Sequence, residues 1–109
     1  MPSNSGIVFN SIANTLKDTE YTILQYENTS GYPQALAEIV GTGTSRAEWE
    51  VFINGQQVAR RRTSTTEINL VYSFNRIQFN DGDILTLKVI HYQDETQDFS
   101  ADLRYIVVV

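Results

Sequence analysis

An all-β fold, a single antiparallel β-sandwich, follows from three observations on this chain of 109 residues. Trp49-Glu50-Val51-Phe52-Ile53-Asn54-Gly55 reads as a strand that closes at an Asn-Gly hairpin turn. Asp81-Gly82-Asp83 reads as a turn feeding a long apolar strand from Ile84 to Tyr92. Phe99, Ala101, Leu103, Tyr105 and Val107 alternate with Ser100, Asp102 and Arg104, so a slip of one residue would bury the charges and expose the apolar set.

Residues 1–18 mix Ser, Asn and Gly around the apolar cluster Ile7-Val8-Phe9. That composition suits either an arm that orders against a partner or a first strand at residues 6–10. The sandwich domain is expected over residues 19–109. Tyr21 to Asn28 is rich in the branched and aromatic residues that fit a pleated surface, and Ser30-Gly31-Tyr32-Pro33 ends it. Ala35 to Val40 follows Pro33 and could open a helix, but Gly41 and Gly43 confine it to strand length.

Ala47, Trp49, Val51 and Ile53 share one face of the next strand, and Glu48 and Glu50 the other. A two-residue loop at Asn54-Gly55 then sets Ile53 against Gln56, Val51 against Val58, Trp49 against Arg60 and Glu48 against Arg61. Ile68, Leu70, Tyr72 and Phe74 form another alternating set, with Arg76-Ile77-Gln78-Phe79 as a short run before the Asn80-Asp81-Gly82-Asp83 turn. Leu85, Leu87 and Val89 share the face of the following strand. About eight short strands at near-regular spacing match a jelly-roll sandwich.

Composition narrows the function classes. The chain has no cysteine, hence no disulfide framework and no thiolate metal ligand. A net charge of −5 opposes attraction to nucleic acid or anionic membranes. No run of about 18 apolar residues is present to span a bilayer, and Met1-Pro2-Ser3-Asn4-Ser5 lacks the charged and apolar regions of a secretory signal, so synthesis in the cytoplasm is expected.

Catalysis would need a nucleophile, base and electrophile together, and the chain has one histidine, His91, expected at a partly exposed strand end. Neither a hydrolase triad nor a zinc site has its parts, so no enzyme activity, cofactor or metal is expected. Asn80-Asp81-Gly82-Asp83 offers oxygen ligands but lacks the spacing of a calcium loop, and turn chemistry accounts for it. Among the aromatics, Tyr32 and Tyr92 lie beside turns and are the two candidates for ligand contact.

Arg60-Arg61-Arg62 is a basic knot in an acidic chain. Arg61 is expected to pair with Glu48, Arg60 to lie on the Trp49 indole, and Arg62 to extend toward a partner. Ile7, Val8, Phe9, Arg60 and Arg62 are the candidate partner-binding residues.

The strand Ala47 to Ile53 with Asn54-Gly55, the basic-polar strand Gln56 to Thr63, the Asp81-Gly82-Asp83 turn and the closing Asp98-Phe99-Ser100-Ala101-Asp102-Leu103 resemble small bacteriophage virion proteins of the jelly-roll type. The ending is also similar to C1q and tumour-necrosis-factor-like jelly rolls, although Ala101 stands where the C1q-like pattern has Gly. The phage resemblance implies a structural virion protein, a capsid decoration or cement protein that binds the major capsid protein or another virion protein, acting as a homo-oligomer, a trimer. The alternative is a receptor-binding or carbohydrate-binding module of a phage tail or fibre.

Overall fold

The computed structural model describes residues 5–108, with the side chains of residues 74–76 outside the description. Eight strands follow in order: β1 (Ser5–Thr15), β2 (Tyr21–Glu27), β3 (Gln34–Thr42), β4 (Ala47–Ile53), β5 (Gln56–Arg62), β6 (Asn69–Phe79), β7 (Ile84–His91) and β8 (Gln97–Val107). They form two four-stranded sheets, β1-β8-β3-β6 and β2-β7-β4-β5, antiparallel at every pairing. Strands 1 with 8, 2 with 7, 3 with 6 and 4 with 5 are neighbours, the nesting of a long hairpin wrapped into a jelly roll. Residues 5–15 are therefore a strand in register with β8, longer than the expected strand at 6–10, with Val8 and Ile12 packed against the core.

The inner faces are the alternating sets read from the sequence. Trp49 and Val51 of β4, Leu85, Leu87 and Val89 of β7, and Phe99, Ala101 and Leu103 of β8 are all buried. Trp49 meets Phe99 edge to face at 5.6 Å. The backbone at the end of β3 and just beyond it comes close to this pair, since a Cβ on Gly41 would stand 2.7 Å from the indole and one on Gly43 2.1 Å from the Phe99 ring. Glycine is what lets the two sheets approach there.

Bulges break the simple alternation. On β3, Leu36 and Ile39 are both buried although three residues apart, because the register shifts between Leu36 and Glu38 and leaves Ala37 as the extra residue. On β2, Ile23 and Leu24 are both buried because Ile23 is the extra residue against β7. On β5, Val58 is the extra residue. The Asn54-Gly55 turn has φ of 51° and 82°, the type I′ geometry, and Ile53 does face Gln56. Beyond the bulge every pairing moves by one, so Val51 faces Ala59, Trp49 faces Arg61 and Glu48 faces Arg62. The expected pairs Glu48 with Arg61 and Trp49 with Arg60 are thereby corrected. The two runs expected around residues 68–79 are one strand, β6, and Phe74 and Arg76 lie outside the described side chains.

The two turns that first suggested the fold hold each other. Asn54 donates its amide to Asp83 Oδ1 at 2.9 Å, and its Oδ1 accepts the Ile84 N–H at 2.9 Å. Asp83 also accepts the Asn80 N–H at 2.8 Å. These donors, the Asn80 amide foremost, hold the Asp83 carboxyl below its ordinary range. Turn geometry thus uses the residues that a cation would need.

Candidate docking face

The two outer faces of the sandwich differ in chemistry. On the outside of the β2-β7-β4-β5 sheet, Glu48, Lys88, Arg60 and Arg62 come together by strand register. The Glu48 side chain is only 8% exposed, with Arg60 Nε 2.9 Å from Oε1 and Arg62 3.7 Å from Oε2. Tyr92 donates its hydroxyl to Oε2 at 2.9 Å. The Arg60 contact with Oε1 is an ion pair off the hydrogen-bonding direction, so that oxygen accepts no hydrogen bond. Burial, and then the bond to Glu48, pushes the Tyr92 hydroxyl pKa up.

The neighbouring Lys88 is engaged too. Lys88 stands 3.5 Å from Glu20 and lies over the Phe52 ring at 4.8 Å. Burial, followed by the negative charges of Glu20 and Glu48, raises the Glu50 pKa, with Arg60 opposing. Arg61 points the other way, into the side of the sandwich between β5 and β6, where it lies over Tyr72 at 5.8 Å and stands 3.9 Å from Glu67. Trp49 is buried, and among the described arginines Arg61 lies over Tyr72 and Arg62 over Tyr92 instead. Tyr92 lies beneath Arg62 at 5.4 Å, so its ring is already covered, whereas Tyr32 is exposed on its turn.

His91 is fully buried, which corrects the expectation of a partly exposed strand end. Its Nδ1 accepts the Gln93 N–H at 3.1 Å, which leaves Nε2 to donate to the Thr15 carbonyl at 2.9 Å. The imidazole fastens the β7 end to β1 and has no free nitrogen for chemistry. Among the described residues, no group of three or more His, Asp or Glu is placed to hold a metal.

The outside of the β1-β8-β3-β6 sheet sets exposed apolar side chains beside its charges. Register places Phe9, Asp102, Val40 and Val71 in one row across all four strands. Ile7, Arg104 and Glu38 form the adjoining row, with Arg104 3.4 Å from Glu38. Phe9 is 76% exposed, Val71 60% and Ile7 56%. Shallow grooves of about 390 Å³ beside Ile7 and Tyr105, and of about 440 Å³ beside Ile12 and Phe99, flank the Phe9 row. The exposed apolar side chains stand on the two edge strands of this sheet, Ile7 and Phe9 on β1 and Val71 on β6, with Asp102 and the half-buried Val40 between them.

The five candidate residues therefore fall in three places. Ile7 and Phe9 stand on this face, Val8 turns inward against the core, and Arg60 and Arg62 lie on the opposite outer face. Val40 and Val71 join the surface and were missed in the sequence, because only the β3-β6 register brings them beside a β1 residue.

No family model matches the chain, and no curated protein matches it. Solved structures do resemble it. A chain in the acidic stable capsid structure of Helicobacter pylori bacteriophage KHP30 is similar with a TM-score of 0.62 at 8% identity, covering 97% of this chain and 92% of that one. The CBM36-1 domain of a multidomain xylanase from the hindgut metagenome of Trinervitermes trinervoides has a TM-score of 0.52 at 10% identity, covering 95% of this chain and 98% of that one. The insecticidal delta-endotoxin Cry8Ea1 of Bacillus thuringiensis has a TM-score of 0.50 at 15% identity, covering 97% of this chain but 19% of the toxin. At these identities the likeness is one of fold, and the fold of this chain is a two-sheet antiparallel jelly-roll sandwich.

Proposed function

We propose that the chain is a structural virion protein, a capsid decoration or cement protein that attaches to a phage shell through the outer face of the β1-β8-β3-β6 sheet. The observation that carries this reading is the set of exposed apolar side chains Ile7, Phe9 and Val71 on one outer face, while on the opposite face Arg60 and Arg62 are engaged by Glu48. Similarity to a phage capsid chain of nearly equal length supports it. The mechanism is burial of Ile7, Phe9, Val40 and Val71 against a neighbouring virion protein, repeated on a symmetric lattice. A trimer would multiply a weak contact through effective concentration.

The test is co-sedimentation of the purified protein with shells assembled without it. Phe9→Ser should weaken attachment by about tenfold or more, the loss typical of a central aromatic anchor. Unaltered attachment would refute the docking face.

A tail or fibre carbohydrate-binding module is the second reading. It is favoured by a groove of about 380 Å³ on the ionic face that includes Phe52, Gln25, Thr86 and Asn54. Lys88 already lies over Phe52, so a sugar ring would have to displace it. Binding to a glycan array that Phe52→Ala abolishes would favour this reading.

A further inference from the structure

We infer that the surface received by the β1-β8-β3-β6 face is basic as well as apolar, and that it sets a lysine or arginine on Asp102. This rests on the docking reading above and names the chemistry of its partner. Asp102 is half-buried in the row between Phe9 and Val40, and makes no hydrogen bond or ion pair among the described residues. The nearest cation on its own strand, Arg104, is taken by Glu38. Asp98, further along β8, accepts the Asn14 N–H at 2.9 Å. The described charges of β8 and β3 on this face are thus three carboxylates against one guanidinium.

Water satisfies Asp102 while the face is open. An apolar partner closing over Phe9, Val40 and Val71 would strip that water and leave a carboxylate without a counter-charge, a penalty that opposes the gain from the apolar contacts. A partner that supplies an ammonium or guanidinium at this point keeps the gain and replaces the water. The unpaired acid therefore selects its partner by rejecting neutral and acidic surfaces. A second copy fits poorly, because two such faces would bring Asp98 and Asp102 of both copies together, with each Arg104 already engaged.

The experiment measures attachment of the wild type, Phe9→Ser and Asp102→Asn to shells assembled without this chain, at low and high salt, with thermal unfolding as the folding control. Asp102→Asn is expected to unfold like the wild type, bind tenfold or more weakly, and lose part of the salt dependence. If Phe9→Ser weakens attachment while Asp102→Asn binds equally well or more tightly, the partner carries no cation there; the inference fails and the docking face stands. If neither substitution matters, or the wild type does not attach, both fail. A wild-type dimer in sedimentation that Phe9→Ser dissociates would make the occupant a second copy and overturn the inference.

Discussion

The outer face of β2-β7-β4-β5 and that of β1-β8-β3-β6 are built by the same rule, every second residue of four antiparallel strands, yet only one of them is complete in the isolated chain. On the first, Glu48 is enclosed by Arg60, Arg62 and Tyr92, and Lys88 by Glu20 and Phe52. On the second, Phe9, Ile7 and Val71 face solvent and Asp102 has no partner among the described residues. Exposed arginines that look like partner contacts can be internal ties, whereas an exposed phenylalanine beside an unpaired acid has no internal account.

Both faces share one core, so breaking it should cost the most. Trp49→Ala is expected to lower stability by about 3 to 5 kcal/mol, since the indole is buried against Phe99 and Gly41. An unchanged denaturation midpoint would show that the sheets do not depend on this contact. Glu48→Ala isolates the ionic face. Its loss should cost about 1 to 2 kcal/mol, because Tyr92 loses its acceptor while the arginines, both more than half exposed, return to water. A loss as large as that at Trp49 would mean the ionic face is part of the core.

A pH-dependent effect sits between the sheets, where Tyr26 stacks on Tyr105 at 4.9 Å. Burial, then the neighbouring Tyr105 hydroxyl, raises the Tyr26 pKa from 10.0 to about 12. The unfolded chain therefore releases this proton first, and stability should fall as pH rises from about 10 to about 12. Equilibrium unfolding across that range should show the decline, and Tyr26→Phe should flatten it.

How much of this was legible in the sequence depends on the bulges. Period-two alternation gave the inner faces of β4, β7 and β8 because each runs without an inserted residue through its buried set, and Asn54-Gly55 announced its turn because both residues tolerate positive φ. Val58, Ala37 and Ile23 carry no mark of being extra, since a bulge is fixed by how the partner strand packs. Val58, the extra residue of β5, brought Arg60 to Glu48 rather than to the Trp49 indole, and set Arg62 beside it. The β1-β8-β3-β6 face was half visible: Ile7 and Phe9 stood out as a cluster, but their union with Val40 and Val71 depends on pairings between strands distant in sequence.

The most direct test of the contrast between the faces is attachment to shells measured side by side for Phe9→Ser and for the double variant Arg60→Gln, Arg62→Gln, each well below its own unfolding midpoint. The account predicts that the phenylalanine variant loses attachment by about tenfold or more while the arginine variant binds like the wild type. Lost attachment in the arginine variant with normal binding in Phe9→Ser would contradict it and move the docking surface to the ionic face.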